Sequence, residues 1–345
     1  MNDFLNVPEQ DVAVFSRIRL ARNYEDICFQ ATCSQEDKEF LISRAEAAVL
    51  SSNQACSFRL EKLKDLTEDE RGHLLDHFRI SNDLLKYADT AAVLLSEEEN
   101  ISIMVGEEDH LRIFGLLPGL QLDRAAELAY MADGWLEKGA PYAFDGQFGY
   151  LTSAPSNAGT GMRGCILLHL PTLRAAGQIG RMIQEIAKHG LTLRGLYSDG
   201  NEADGNLYQL SNHASIGRTE EDVIRAISSA ATLIIQVERS IREKMLTQDE
   251  LIVSDRLFRS IGLLRNARLM NDKEWMQRWS DLRLAAVIGL IDASVTEIDQ
   301  LMMDLQAASL NTIAGKTLSE RERNTLRADI LRDKMSAMPD AIHEI

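Results

Sequence analysis

Apolar and polar residues alternate in two different ways along the first 247 residues. Apolar positions recur with a helical spacing in several segments, which predicts amphipathic helices over 37–52, 68–88, 121–139 and 175–190. Short apolar runs separated by polar loops lie between these segments and are typical of strands. The runs on either side of Glu99 and Asn100 suit a β-hairpin. This part of the chain therefore mixes helices and strands.

The pattern changes near residue 247. A long helix is predicted over 219–246, with Thr219 as its N-cap. Beyond this helix the helical spacing of apolar residues continues, and no β-like run remains. We therefore predict two domains, residues 1–247 and an all-helical region over 248–345.

The net charge of −16 is unevenly distributed, because residues 1–250 carry −15 of it. The negative charge of residues 1–250 disfavours nonspecific nucleic-acid binding and attracts cationic ligands. A polyphosphate ligand would therefore need a local cluster of arginines. The sequence has no apolar run of about 18 residues, as a membrane span requires, and its N-terminus has no secretory signal. We therefore expect a cytoplasmic protein without a membrane partner. Its four cysteines form no C-x-x-C pair and suit reduced thiols.

Three glycines at 159, 161 and 164 match the dinucleotide pattern G-x-G-x-x-G. That pattern requires a helix directly after the glycines, whereas the run CILLHLP that follows here is short, apolar and ended by a proline, as in a strand. No Walker A lysine follows either. We therefore reject both nucleotide motifs and expect a strand–loop–strand setting, in which Gly159 and Gly161 let the backbone approach a ligand closely.

Five arginines and three acidic residues are the candidate chemistry of the chain. Arginine is always charged and binds phosphate oxygens in pairs, although each arginine taken alone also suits a solvated surface. Arg17 and Arg19 are two apart on a predicted strand and so share a face. Acidic residues cluster in GEEDH and at the tip of a glycine-bounded loop. The arginines are Arg17, Arg19, Arg112, Arg163 and Arg194, and the acids are Glu107, Glu108 and Glu202.

Several of these stretches closely resemble motifs of the ATP:guanido phosphotransferases, or phosphagen kinases. The motifs are SRIRLARN, EEDHLRI, GYLTSAPSNAGTGMR, LHLP and TLRGLYSDGNEADGN, and they follow the family's order. The chain is most similar to the bacterial protein-arginine kinases, because its motifs start near residue 11 and a helical region follows them. The resemblance implies an α+β fold, with a phosphagen-kinase-like catalytic domain whose antiparallel sheet is flanked by helices, and a C-terminal all-helical domain.

The resemblance also implies roles for these residues. Transfer of the γ-phosphoryl group of ATP, with Mg²⁺ bridging the phosphates, depends mostly on positioning and charge stabilisation. Glu108 and Glu202, with Glu107 beside them, would hold the acceptor guanidinium and take its proton. The residues implied to bind ATP are Ser16, Arg17, Arg19, Arg112, Gly159, Gly161, Arg163 and Arg194.

Three departures from the family pattern stand out. Ala154 occupies the position of the family cysteine whose thiolate lies beside the guanidinium, so activity could be lower, differently tuned or lost. Gly106 replaces an asparagine before the two glutamates and is expected to loosen their turn. The segment RNTLRA resembles a phosphoarginine-binding segment of the bacterial enzymes at Arg323 and Arg327, with Asn324 in place of an aspartate; a plain helix surface is the alternative.

Three functions remain open at this point. A protein-arginine kinase would act on protein substrates with exposed arginines, in regulation or degradation marking. A small-molecule guanidine kinase is the second alternative, although the helical domain that encloses free substrates in the family is missing. A pseudokinase or adaptor that binds nucleotide or phosphoarginine is the third, because of Ala154. The resemblance further implies a homodimer, an activator protein and a Clp-type ATPase-protease as partners, and no nucleic acid.

Overall fold

A computed structural model describes residues 7–52, 57–196 and 203–340. Eight of the described strands form one sheet in the order β2-β3-β4-β5-β1-β8-β10-β9, and every neighbouring pair is antiparallel. Two very short strands, β6 and β7, form a separate hairpin. The strands are β1 (Ala13–Arg22), β2 (Phe58–Lys62), β3 (Ala92–Ser96), β4 (Ile101–Val105), β5 (Leu111–Pro118), β6 (Phe144–Asp145), β7 (Gly149–Tyr150), β8 (Met162–His169), β9 (Leu191–Gly195) and β10 (Leu207–Asn212).

Helices flank this sheet and make up the rest of the described chain. Thr219 caps the longest helix by accepting from the Asp222 amide, as predicted. The helices are α1 (Gln35–Ser52), α2 (Glu68–Asp76), α3 (Leu122–Glu137), α4 (Pro171–Ala175), α5 (Ile179–Ala187), α6 (Glu220–Gln248), α7 (Glu250–Asn266), α8 (Asp272–Val287), α9 (Val295–Asp304), α10 (Ala307–Ala314) and α11 (Glu320–Ser336). The expected α+β class, with an antiparallel sheet and a helical C-terminal region, is confirmed.

One face of the sheet packs against α1, α3, α5 and α6. Alternate residues of each strand point to this face, among them Ile18 and Leu20 of β1 and Ile113 of β5, and all three are fully buried. The helix α3 lies so close to β5 that a methyl group on Gly115 would overlap the Ala125 carbonyl. Because side chains alternate along a strand, the residues between these apolar positions point to the opposite face.

The opposite face is apolar at one end, where the C-terminal helices cover it. Phe15, Leu167 and Leu207 of the sheet pack into one core with Trp275 and Trp279 of α8. We call this group the α8 cluster. The helical region therefore shares a core with the sheet. The predicted domain boundary at 247/248 falls where α6 ends and α7 begins, and it stays a prediction.

A second apolar cluster lies at the other end of the same face. Leu74 of α2 packs there with Val93, Met104 and Phe114 of the sheet. We call it the α2 cluster. The part of the face between the two clusters is polar, and it is where the arginines of β1, β5 and β8 emerge.

The predicted helix over 68–88 is wrong, because α2 ends at Asp76. Phe78 has a left-handed backbone (φ 59°), and the amides of Phe78 and Arg79 donate back to the last turn of the helix. The Phe78 ring packs 4.8 Å from the Phe15 ring, between centroids. This contact with the sheet stabilises a reversal that the apolar periodicity does not reveal. In the described residues no helix is both long and apolar enough to span a bilayer.

Replacing Gly115 with alanine tests how tightly α3 lies on the sheet. Overpacking against backbone should lower the free energy of unfolding by about 1–3 kcal/mol, measured from urea unfolding curves. Gly134→Ala is the matched control, because among the described residues no atom beyond the neighbouring residues and backbone of its own helix lies within 4 Å of the added methyl group. It should leave stability unchanged or raise it by up to about 1 kcal/mol. Equal effects of the two substitutions would contradict the close contact.

Candidate active site

The sheet brings the five predicted arginines to one face. Arg19 on β1 lies directly opposite Arg163 on β8, and Arg17 lies opposite Cys165 of the same strand. Arg112 on β5 pairs in register with Ala21. Arg194 follows on β9, two strands beyond β8. Alternate residues of each strand point to the same face, so these guanidinium groups gather between the α8 and α2 clusters. The shared face of Arg17 and Arg19 is the one predicted from their two-residue spacing.

These guanidinium groups repel one another in a poorly solvated site. Burial, together with Arg112, Arg163 and Arg17, lowers the pKa of Arg19 to about 9. Burial also lowers the pKa of Arg163, and Arg194 adds to that effect. Each of the other three arginines therefore lies within electrostatic range of Arg19 or Arg163. An anion with several charges would relieve this repulsion.

Three of the guanidinium groups also hold hydrogen-bond donors for which the described residues supply no acceptor. The Nε atoms of Arg19, Arg112 and Arg163 are buried without a hydrogen-bond partner there. Buried donors are normally satisfied, and each orphan costs about 1–3 kcal/mol. Phosphate oxygens accept such bonds readily. Donors and charge together point to a polyphosphate ligand.

Other contacts fix the direction of these side chains. We call the segment between β7 and β8, which carries Gly159 and Gly161, the glycine loop. The Arg19 Nη2 donates to Asn157 Oδ1 of this loop at 3.0 Å, which joins it to β1. The Arg17 guanidinium carbon lies 4.9 Å from the centroid of the Phe114 ring. Arg17 and Arg19 are thus held in place before any ligand binds, which reduces the entropy lost on binding.

The glycine loop is pinned to the end of β1. Gly159 (φ 99°) and Gly161 (φ 66°) have left-handed backbones, and a methyl group on Gly161 would lie 2.6 Å from the Ala21 carbonyl oxygen. The Ala21 amide donates to the Gly161 carbonyl at 2.9 Å. Arg22 donates to the Thr160 carbonyl at 2.9 Å. The loop therefore lies beside the arginines, between β7 and β8, in the strand–loop–strand setting that was predicted.

Two glutamates share a single arginine at the edge of this cluster. We call residues 106–110 the acidic turn. Arg112 bonds to Glu107 through one terminal nitrogen and to Glu108 Oε2, at 2.9 Å, through the other. Glu107 is fully buried, and burial raises the pKa of its carboxyl group although Arg112 opposes this. The Glu108 side chain is 44% exposed, so its carboxylate is open to an incoming cation.

A hydrogen-bond network joins the acidic turn to the loop that carries Ala154. Asp109 Oδ1 accepts from Asn23 Nδ2 at 2.9 Å and from the Ser153 amide at 2.7 Å. The Ser153 hydroxyl donates to the Glu108 carbonyl at 2.7 Å. Ala154, the position of the family cysteine, therefore follows a residue that contacts Glu108 directly.

Gly106 does not leave this turn loose. It has a left-handed backbone (φ 82°), its amide donates to the His110 carbonyl at 2.9 Å, and its carbonyl accepts from Gln30 Nε2 at 3.0 Å. Asparagine, the family residue here, also tolerates this conformation. The substitution therefore keeps the turn closed.

Ser16, predicted to bind ATP, and the predicted phosphoarginine-binding segment at 323–328 lie away from this cluster. The Ser16 hydroxyl donates to the carbonyl of Gly119, just before the start of α3, at 2.7 Å. Arg327 is fully buried and bonds to Asp272, to Asn324 and to backbone carbonyls, so its guanidinium joins helices instead of facing outward. Arg323 donates to the Leu318 carbonyl at 2.6 Å. Glu202 lies outside the described residues.

The network residues were missed at the sequence level. Asn23, Ser153 and Asn157 all stand inside the stretches that carried the resemblance, so their signal was present. Their partners lie far away along the chain, however, and the sequence alone does not pair them. In the described part of the chain, no group of three or more His, Cys, Asp or Glu residues could hold a metal ion.

Comparison with protein families defines the class of this protein. Residues 41–241 match the family model of the ATP:guanido phosphotransferase C-terminal catalytic domain, which is more than half of the chain. The chain therefore belongs to the ATP:guanido phosphotransferase family. Residues 250–344 match a second model, the protein-arginine kinase McsB C-terminal domain.

Individual relatives show which members of the family this chain is similar to. The protein-arginine kinase of Caldanaerobacter subterraneus subsp. tengcongensis is 38% identical over 330 residues, covering 95% of this chain and 98% of its own length. That of Pelotomaculum thermopropionicum is 39% identical over 338 residues, covering 96% and 94%. Among solved structures, the duplicated taurocyamine kinase of Schistosoma mansoni is similar with a TM-score of 0.58 and 26% identity, over 66% of this chain and 33% of that chain. Lombricine kinase, at 20% identity and a TM-score of 0.57 over 68% of each chain, shares the fold.

Arg19→Gln separates ligand binding from stability. Removing one buried cation relieves repulsion, so the unliganded protein should melt at the same temperature or higher. Loss of a charged hydrogen bond of about 1.5–3 kcal/mol should weaken Mg-ADP binding about ten- to a hundredfold, as measured by calorimetry. The exposed Arg124→Gln on α3 is the control and should change neither quantity. Undiminished ADP affinity in Arg19→Gln would exclude the cluster as the phosphate site.

Proposed function

We propose that this chain is a protein-arginine kinase that transfers the γ-phosphoryl group of Mg-ATP to arginine guanidinium groups of proteins. The observation that carries the proposal is the set of buried, unpartnered Nε donors of Arg19, Arg112 and Arg163 beside an acidic turn. One half of this arrangement suits a polyphosphate donor, and the other suits a cationic acceptor. Only a reaction between the two uses both halves.

The arginine cluster acts on the donor. Arg17, Arg19, Arg163 and Arg194 neutralise the triphosphate and the charge on the transferred group, and the glycine loop lets the backbone approach it. Mg²⁺ enters bound to the phosphates of ATP, so it is part of the substrate and needs few protein ligands.

The carboxylates act on the acceptor. A guanidinium is a poor nucleophile because it is protonated and delocalised. In the proposal Glu108 and Glu202 grip it by paired hydrogen bonds, direct one nitrogen at the γ-phosphorus, and accept its proton as the N–P bond forms and ADP leaves. Glu107 holds Arg112, which keeps the turn that carries Glu108 in place.

Protein arginines are the acceptors that the comparisons favour. The relatives that cover nearly all of this chain at 38–39% identity are named protein-arginine kinases, whereas the taurocyamine kinase is 26% identical over 66% of the chain. The helical C-terminal region matches a model named for the same kinases. By the same reasoning we propose a cytoplasmic homodimer that works in protein quality control with an activator protein and a Clp-type ATPase-protease.

One incubation separates the candidate functions. The purified chain is mixed with Mg-ATP, a casein-like protein and free arginine, and acid-labile phosphate is measured on each acceptor. Phosphate on protein supports the proposal. Phosphate only on free arginine would instead assign a small-molecule guanidine kinase. Phosphate on neither, with ADP still bound, would assign a nucleotide-binding adaptor.

Glu108→Gln tests the acceptor half of the site. Loss of a positioned general base should lower the rate of protein phosphorylation about 10²–10⁴-fold, measured as acid-labile phosphate per minute. Mg-ADP affinity should stay within about threefold, because the arginine cluster remains intact. Glu127→Gln, at an exposed position on α3, serves as the control and should keep full activity. An unchanged rate in Glu108→Gln would remove this carboxylate from the mechanism.

Ala154→Cys tests the missing thiol. A thiolate beside the acceptor should raise the rate about two- to fivefold, the equivalent of roughly 0.5–1 kcal/mol for a partly exposed charge pair. The gain should appear as the pH rises through the thiol pKa, ordinarily about 8.5, because only the ionised form carries charge. Ala154→Ser adds similar volume without the charge and should give no gain. A pH-independent increase in both variants would point to packing instead of charge.

A further inference from the structure

The loop between β1 and α1 covers the acidic turn from outside the active site. Near its start, the Tyr24 amide donates to His110 Nδ1 at 3.0 Å. In its middle, Gln30 Nε2 donates to the Gly106 carbonyl at 3.0 Å. His110 Nε2, which carries the proton because Nδ1 accepts, donates to the Cys28 carbonyl at 2.7 Å. Movement of this loop would therefore be transmitted to the turn that presents Glu108.

Two cysteines of this loop have no role in the proposed mechanism. Cys28 is exposed and Cys33 is half-buried, and neither is in a disulfide. The Cys33 thiol donates to the Cys28 carbonyl at 2.6 Å, and its sulfur lies 3.9 Å from His110 Nε2. A carbonyl oxygen lies about 2.5 Å from the Cα of its own residue, so the Cys33 sulfur is within about 5 Å of the Cys28 Cα.

That separation is compatible with a disulfide. With an S–S bond of about 2.05 Å, each sulfur of a disulfide lies within about 5 Å of the Cα of its partner, so closing this pair needs only a local adjustment of the backbone. The ring would enclose four residues at the surface, Phe29 to Thr32, of which Phe29, Ala31 and Thr32 are exposed and only Gln30 is buried. The thiols are thus close enough to react and open enough to be reached.

We propose that Cys28 and Cys33 are a redox modification site, at which a reversible intramolecular disulfide lowers the activity of the enzyme. A peroxide oxidises the exposed Cys28 thiol to a sulfenic acid, and hydrogen peroxide is reduced to water. The Cys33 sulfur then attacks the Cys28 sulfur, and a second water leaves. Two thiols and one hydrogen peroxide give one disulfide and two waters.

The order of these steps follows from exposure. Cys28 is the thiol that an oxidant in solution meets first. Burial raises the pKa of the Cys33 thiol, with a smaller contribution from Asp37, which disfavours its direct oxidation. Cys33 therefore acts as the resolving thiol.

The disulfide would disturb the acidic turn through His110. Bond formation removes the thiol donor from the Cys28 carbonyl and moves the same carbonyl that accepts from His110 Nε2. His110 lies two residues after Glu108, and its neighbour Asp109 anchors Ser153. A displacement of about 1 Å at a reacting group can cost about a hundredfold in rate. The loss of activity rests on the proposed function, whereas formation of the disulfide does not.

Peptide mapping and activity are measured on the same sample. The full chain is reduced, freed of reductant, and treated with stoichiometric hydrogen peroxide. The tryptic peptide 23–38 holds Cys28, Cys33 and no other cysteine, and it should lose two hydrogens. Chymotrypsin cleaves after Phe29, between the two cysteines, and the halves should stay joined until dithiothreitol is added. Phosphorylation of protein arginine should fall about ten- to a hundredfold and return on reduction.

Cys28→Ser is the matched control, because it keeps the other three cysteines and changes one atom. Its reduced activity should equal that of the unchanged chain, and peroxide should not lower it. Sulfinic acid on Cys28 without a linked peptide, inactivation of Cys28→Ser by peroxide, or full activity of the linked enzyme would each overturn the proposal. A reduced chain without kinase activity would refute the proposed function, and the mapping would still decide the disulfide.

Discussion

Repulsion among buried guanidinium groups is the constraint around which the sheet is built. Arg17, Arg19, Arg112 and Arg163 alternate with core residues on adjacent antiparallel strands, so the register that buries Ile18 also forces the arginines together. The apolar side chains on the other face supply the free energy that holds like charges at this spacing. The α8 and α2 clusters close the two ends of the arginine face and leave the polar centre between them.

Different partners reduce the repulsion at each position. Arg112 is paired with two carboxylates, Arg19 bonds to an amide, and Arg17 stacks on Phe114. Compensation is incomplete, because burial and the neighbouring cations still lower the pKa of Arg19 to about 9. A site in this condition gains more from a multivalent anion than a solvated cluster would, since each new contact satisfies a buried donor and relieves repulsion at once.

The sequence was sufficient for features that depend on local periodicity. It predicted the shared face of Arg17 and Arg19, the hairpin at Glu99, the strand after the glycine loop and the helical C-terminal region. Features set by distant contacts were not predictable. The predicted helix over 68–88 ends early, at Asp76, where the chain reverses and Phe78 packs against Phe15 of the sheet. The burial of Arg327 depends on carbonyls of Met270 and Leu305, which no spacing rule connects to it.

Arg112 joins the two halves of the site. One of its terminal nitrogens holds the buried Glu107, the other holds Glu108, and its unpartnered Nε lies within the cluster. A phosphate that binds Arg112 therefore competes with Glu108 for the same guanidinium, and a weaker Arg112–Glu108 pair leaves that carboxylate freer to bind a cation. The donor and acceptor halves are thus electrostatically coupled through a single side chain. Because Glu107 keeps its own bond to Arg112, this coupling does not require the turn itself to move.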